Sequence, residues 1–162
     1  MSYRRECRSL VVVGAGPAGL AAACEAAALG METVVLDEND RGGGQLNKQI
    51  HKFFGSGAHG AGKRGYEIAG EMLERCGELG VELRLNHLAA GVFPDREIMV
   101  RGPGEVYLLD CDNLIIAAGA VEKPLAFPGW TLPGVMGAGG AQTLMNLYGV
   151  LPGERVAVIG TG

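Results

Sequence analysis

The sequence is poor in charge, in aromatic side chains and in paired cysteines, and each shortage removes a class of function. Charged residues make up 20% of the 162 positions and aromatics 6%. The charges, 14 Lys+Arg against 18 Asp+Glu, sum to −4 and form no blocks. No basic stripe is present to neutralise a phosphate backbone, so no nucleic-acid partner is expected. Cys7, Cys24, Cys76 and Cys111 are scattered, with no CxxC among them. That spacing supports neither a disulfide scaffold nor a zinc site, and free thiols point to a reducing, cytoplasmic setting. His51 and His59 stand in a polar loop at a separation that fits no familiar metal-ligand spacing, so no metal is expected.

A long uninterrupted apolar run is missing too. Arg4, Arg5 and Arg8 precede a stretch from Leu10 to Gly30 that has the outline of a targeting signal or membrane span. Glu25 would then lie in hydrocarbon, and Gly14, Gly16, Pro17 and Gly19 break the run. No membrane span is expected.

What the chain has in excess is glycine: 28 of 162 residues, beside 48% hydrophobic residues. Ordinary usage is about 7%, and no collagen-like period is present. This is a globular α/β composition in which backbones approach one another, or a ligand, closely. The length suits one domain of ordinary size.

Hydrophobic patterning places a strand at Ser9–Val13, an Ala-rich helix at Pro17–Leu29 stopped by Gly30, and a strand at Thr33–Leu36. A helical connection makes those strands parallel. Residues 38–63 form a polar, Gly-rich excursion of a length that is uncommon without a function. A helix follows at Arg64–Leu79, with Ile68, Met72 and Cys76 on one face beside Ala69 and Leu73, and then a strand at Val81–Leu85. Ala89–Phe93, Glu97–Val100 and Val106–Asp110, separated by Pro94-Asp95 and Gly102-Pro103-Gly104, read as an antiparallel meander. Asn113–Ala117 reads as another buried strand, Ala141–Tyr148 as a helix and Arg155–Ile159 as a last strand.

Three motifs carry chemistry. Gly14-Ala15-Gly16-Pro17-Ala18-Gly19 is a GxGxxG between strand and helix. Gly14 permits the tight turn, Gly16 a close backbone approach to a pyrophosphate, and Gly19 close packing of helix on strand. Asp37 ends the next strand, where a carboxylate accepts the hydroxyls of an adenosine ribose; Glu38 stands beside it. Asp37 would repel a 2′-phosphate. The second motif is Gly42-Gly43-Gly44-Gln45, either a flexible linker or a segment running beside a cofactor, with Gln45 in hydrogen-bonding reach. The third is the strand-to-turn Leu114-Ile115-Ile116-Ala117-Ala118-Gly119-Ala120.

In this order the three resemble the two-dinucleotide-domain flavoproteins, the pyridine nucleotide–disulfide oxidoreductase superfamily, across nearly the whole chain. The resemblance implies FAD held by Gly14, Gly16, Pro17, Ala18, Gly19, Asp37, Glu38, Gly43, Gly44, Gln45, Ala118 and Gly119. Ala118 stands where the superfamily usually has Thr, so no hydroxyl acts there. Residues 42–60 contain none of the paired cysteines of glutathione-reductase-like members, although 43–46 share Gly-Gly-Gln-Leu with thioredoxin reductases. The stretch Gly119-Ala120-Val121-Glu122-Lys123-Pro124-Leu125-Ala126-Phe127-Pro128-Gly129-Trp130, continuing Leu132-Pro133-Gly134-Val135-Met136, is similar to the FAD subunits of opine, proline and sarcosine-type dehydrogenases and hydrogen cyanide synthase. Those enzymes oxidise a C–N bond by hydride transfer to flavin, often with small partner subunits carrying a further redox centre.

The resemblance implies an α/β fold of three layers, an FAD/NAD(P)-binding Rossmann-like domain: central parallel sheet, helices on one face, antiparallel β-meander on the other. Residues 1–122 are then the N-terminal part of the FAD-binding domain and 123–153 a connecting segment. Residues 154–162, with Gly160-Thr161-Gly162 as the start of a second glycine motif, open an NAD(P)-type domain that is truncated here. The expected function is hydride transfer between a small amine- or amino-acid-type substrate, or NAD(P)H, and flavin, in an oligomer with a possible redox partner subunit. The alternatives are an NAD(P)H-dependent reductase and a nucleotide-binding subunit without catalysis. Lys48, His51, Lys52 and Arg64 are either contacts for an anionic substrate or the FAD phosphates, or a solvated loop face. Cys24 reads as core packing, and Trp130, near Phe127, either covers the flavin edge or anchors an extended loop. The sequence names no catalytic residue.

Overall fold

A computed structural model describes residues 4–160; Thr161 and Gly162 of the last glycine motif lie outside the described residues. Residues up to Gly119 make one compact unit and those from Ala120 a second.

The first unit is built on a six-stranded sheet of order β3-β2-β1-β6-β5-β4. Its elements are β1 (Arg5–Val13), α1 (Pro17–Ala28), β2 (Thr33–Leu36), α2 (Gly65–Glu78), β3 (Glu82–Arg84), β4 (Leu88–Val92), β5 (Glu97–Gly102) and β6 (Glu105–Ile116). The strands β3, β2, β1 and β6 run parallel, while β4, β5 and β6 pair antiparallel.

Alternation along the strands builds two cores. Leu10, Val12 and Val35 point to one face, where Leu20, Ala23 and Cys24 of α1 and Cys76 of α2 cover them. Val11, Val34 and Leu36 point to the other, against Ile98, Val100, Tyr107 and Leu109 of the meander. The expected three layers are present, and strands apolar on both faces are what a doubly covered parallel sheet requires.

Two expectations about strands are corrected. Val106–Asp110 and Asn113–Ala117 are one strand, β6, because Cys111-Asp112 contains neither Gly nor Pro and β1 offers a continuous partner. Accordingly β1 begins at Arg5 rather than Ser9. Its charged first half pairs with β6 residues 108–111 and is held by ion pairs from Arg5 to Asp110 and Glu97. Arg155–Ile159 is not a strand: it pairs with no described strand, and an extended segment without a ladder partner leaves its backbone to water.

α1 starts with Pro17 at its first turn, runs through alanines and stops where Gly30 turns left-handed at φ +85°. α2 packs Ala69 and Cys76 inward, with Ile68, Met72 and Leu73 half-buried beside them. Within residues 38–63 two short 3-10 turns form, Gly44–Lys48 and Gly57–His59.

In the second unit α3 (Ala138–Tyr148) is the one regular element among the described residues. The Glu122 carboxylate accepts the backbone N–H groups of Ala138 and Gly139, each at 3.0 Å, and so supplies the N-terminal cap that Gly137 cannot. Trp130 closes a turn through its N–H to the Phe127 carbonyl. No described helix is long and apolar enough to cross a membrane.

Candidate functional site

The first glycine motif folds into the turn between β1 and α1, and its three glycines have three different reasons to be glycine. Gly14 adopts φ +106°, and a Cβ there would lie 2.4 Å from the Ala117 carbonyl oxygen. Gly19 is closed off on the other side, since a Cβ would sit 1.8 Å from the Gly14 carbonyl oxygen. Gly16 has ordinary extended geometry and nothing within 4 Å of where a Cβ would be. The first two are therefore required by the chain's own packing. Gly16 opens onto free space at the start of α1.

That helix end carries no side-chain cap and no acidic residue in its first turn. The N–H groups of its first turn have no partner within the helix and present partial positive charge outward, with Pro17 and Ala18 exposed. Such an end suits an anion.

Asp37 ends β2 beside this turn. One carboxylate oxygen accepts the Ala15 N–H at 2.6 Å, and the other accepts the backbone and side-chain N–H groups of Asn39 at 2.9 and 2.8 Å. The backbone of Asp37 is fixed as well: its N–H donates to Arg84 and its carbonyl accepts from His87. Behind Arg84 lies a charged network. Its guanidinium donates to Glu6 at 2.7 Å and to the Tyr107 hydroxyl at 2.8 Å. The hydrogen bond from Arg84 holds the Glu6 carboxyl below the usual carboxylate range. Glu38 is exposed and lines an open surface cavity of about 870 Å³ with Asn86, Leu88, Arg101 and the 102–106 hairpin turn.

The second glycine segment packs on the first. The Gly43 N–H donates to the Ala15 carbonyl at 2.7 Å. Gly43 and Gly44 both have positive φ, and a Cβ on Gly44 would stand 2.9 Å from the Gly16 Cα. Gly42 is pressed by Leu73 and Gly43 by Ala69, both from α2. Gly42–Gly44 is thus packed against α2 and the first glycine turn. Gln45 is exposed. The third motif arrives from β6: the Ala117 N–H donates to the Val13 carbonyl, and Ala118 and the left-handed Gly119 follow it, exposed.

Gly14, Gly16, Asp37, Gly43, Gly44 and Ala118 thus come together at one end of the parallel strands. The charged candidates around the 38–63 excursion have contacts of their own: the Arg64 backbone N–H donates to Glu67 and its guanidinium to the Tyr66 hydroxyl. His51 is exposed and stacks on Phe53, and the backbones of Lys52 and Arg64 pair in a single antiparallel bridge. No group of three metal-ligating side chains forms among the described residues. Sequence reasoning missed two contributors. Ala15, a nominal x in GxGxxG, ties the turn to Asp37 and Gly43 through its backbone. Ala69 and Leu73 fix the second glycine segment from a distant helix, and only their place on the inward face of α2 hints at it.

Residues 8–162 match the family described as pyridine nucleotide-disulphide oxidoreductase. The chain belongs to this family. Its relatives include the opine oxidase A-type subunit of Agrobacterium tumefaciens (strain Ach5), 37% identical over 94% of this chain, and the hydrogen cyanide synthase subunit HcnB of Pseudomonas protegens, 34% identical over 94%. The sarcosine oxidase alpha subunit of Corynebacterium sp. (strain P-1) is 30% identical over the same share. The chain spans 32% of the length of the opine oxidase relative, 33% of HcnB and 17% of the sarcosine oxidase relative. Among solved structures, L-proline dehydrogenase from P. horikoshii superposes with a TM-score of 0.82 at 23% identity, covering 94% of this chain and 31% of that one. Thioredoxin reductase from Lactococcus lactis gives 0.58 at 28% identity, covering 75% and 39%. This member of the family shares its fold with both.

Proposed function

We propose that the chain is the FAD-binding part of an oxidoreductase that moves a hydride between flavin and a small amine- or amino-acid-type substrate or NAD(P)H. The observation that carries the reading is Gly16: an open space, which any side chain would enter, at an uncapped helix N-terminus within the turn that Asp37 holds. A pyrophosphate fits both the space and the partial charge. In this reading the N–H groups of Ala18 and Gly19 take the pyrophosphate and Asp37, with Glu38 nearby, takes the adenosine ribose. Gly43, Gly44 and Gln45 run alongside the cofactor, and Ala118 and Gly119 meet it from β6. The flavin supplies the two-electron chemistry; the chain's own part is to bind, orient and exclude water.

The relatives' names support the substrate class, since opine oxidase and sarcosine oxidase are named for compounds with C–N bonds. Those proteins are also named as subunits, which supports a redox partner in a larger assembly. Residues 1–122 form the first part of the FAD domain, 123–153 a connection, and 154–162 the opening of an NAD(P)-type domain. Titration with ADP and FAD, followed by calorimetry and by flavin absorbance, tests the binding. Saturable binding of both, lost in Gly16→Val, is expected. Equal binding by Gly16→Val and the wild type would refute it.

A further inference from the structure

Two of the four cysteines, 52 positions apart in sequence, meet in the core. The Sγ atoms of Cys24 on α1 and Cys76 on α2 lie 3.0 Å apart, inside ordinary sulfur contact. Both residues are shut away from water, at 4% and 2% exposure. The Cys76 thiol also reaches the Leu20 carbonyl of α1 at 3.6 Å. The other two cysteines are elsewhere: Cys7 is exposed, and Cys111 donates to the Arg96 carbonyl beside the meander. α1 carries Gly16 at its start, and α2 presses Gly42 and Gly43 against the same turn. A covalent tie between these helices therefore clamps both glycine segments from behind.

We propose that Cys24 and Cys76 form a redox-sensitive staple, oxidised by a hydroperoxide to an internal disulfide that locks α1 to α2. The pair lies in the helix-side core, apart from the glycine turn, and the proposal stands without the flavin reading. In the first step one thiol sulfur attacks the peroxide, the O–O bond breaks, an alcohol or water leaves, and a sulfenic acid forms. In the second, the other sulfur displaces water from that sulfenic acid and the S–S bond closes. Two S–H bonds and one O–O bond are broken, and two electrons pass from the thiols to the peroxide. The sulfurs need to close from 3.0 Å to about 2.05 Å, a shift within the reach of side-chain rotation.

Burial sets the rate. It pushes the Cys76 thiol up to about 12, with the contact from Cys24 adding to the effect, so the reactive thiolate is scarce while the helices stay packed. Oxidation proceeds when α1 and α2 part, and the staple records such opening.

The test is to expose the reduced 162-residue protein to hydrogen peroxide, with and without urea below its unfolding range. The expected result is an intact mass lower by two hydrogens and a non-reducing digest joining the Cys24 and Cys76 peptides. Dithiothreitol reverses both changes, and urea speeds the reaction. The oxidised form melts about 10 °C higher, as expected for closing a loop of this length. Cys7→Ala retains the cross-link and Cys24→Ala loses it. The wild-type peptide map decides even if Cys24→Ala folds poorly. Four thiols still titratable after denaturation, a cross-link through Cys7 or Cys111, or an unchanged Tm on oxidation would each overturn the staple.

Discussion

The Asp37 carboxylate accepts the Ala15 backbone N–H at 2.6 Å, so the acid at the end of β2 is bonded into the glycine turn it faces. The same side chain accepts two further bonds from Asn39, which leaves about one of a carboxylate's four acceptor sites, on the oxygen that takes Ala15, for a ligand. Its role is double: it shapes the turn and offers charge to a ribose. Asp37→Ala removes charge-assisted hydrogen bonds worth about 1.5–3 kcal/mol, or about ten- to a hundred-fold in affinity for ADP or FAD. Calorimetric titration checks this. Asp37→Asn keeps the shape and one acceptor, so its loss of affinity is the smaller of the two.

Gly16 and Gly19 are separated by two residues and are predicted to respond to alanine in opposite ways. Gly19→Ala drives a methyl group to 1.8 Å from the Gly14 carbonyl oxygen, and backbone must move to relieve it. A loss above about 3 kcal/mol is expected, visible as a much lower urea midpoint. Gly16→Ala meets nothing within 4 Å at a backbone geometry that alanine accepts, so the stability stays within about 1 kcal/mol of wild type. Nucleotide affinity falls instead, because the methyl group occupies the ligand's space. A Gly16→Ala protein that binds ADP normally would remove the pyrophosphate from this turn.

The contrast between these glycines shows what the sequence held and what it withheld. The order strand, GxGxxG, helix, strand, Asp37 was legible because each step is local: β-branched runs, an Ala-rich helix with Pro17 first, and Gly30 last. The three layers were legible because β1 and β2 are apolar on both faces. What was hidden depends on contacts between distant segments. Nothing in residues 105–116 says that one strand will serve the meander with its first half and the parallel sheet from Leu108 onward, since that depends on where β1 begins. The three glycines of the turn look equivalent in sequence, and only packing separates Gly16 from the other two. The meeting of Cys24 and Cys76 follows from the pitch of two helices laid on one sheet. Val156–Ile159 failed as a strand for the complementary reason: alternation proposes a strand, but a neighbouring strand has to complete it.

Glu6 gives the fold a dependence on acid. The Arg84 hydrogen bond depresses its carboxyl in the folded chain, so below neutrality the unfolded chain binds the extra proton first. The contribution is complete above the unfolded value of about 4.3 and is lost as the pH falls through the lower folded value. Urea midpoints measured from pH 7 to pH 3 should therefore fall more steeply for the wild type than for Glu6→Gln. At pH 7 the variant is less stable by about 1–3 kcal/mol, the worth of hydrogen bonds between charged partners. A wild-type excess that persists unchanged at pH 3 would show that the ion pair is not the source.

The last prediction concerns association. Apolar side chains in the second unit face water: Val121 at 96% exposure, Leu151 at 71%, Val156 at 68%, Val158 at 82% and Ile159 at 77%. Single exposed apolar residues such as Val121 are ordinary on a protein surface, but Leu151, Val156, Val158 and Ile159, close in sequence and with no ladder to bury their backbone, favour pairing with another chain. The protein should sediment as concentration-dependent oligomers. Val156→Ser, Val158→Ser and Ile159→Ser combined should shift it toward monomer while leaving the far-UV circular dichroism unchanged, because none of the three lies in a described helix or strand. Each fully buried side chain of this kind is worth about 1.5–3 kcal/mol, so even partial burial of three changes a dissociation constant by more than about tenfold. Sedimentation velocity across a concentration series decides it: a wild type that remains monomeric throughout would show that these residues do not drive self-association.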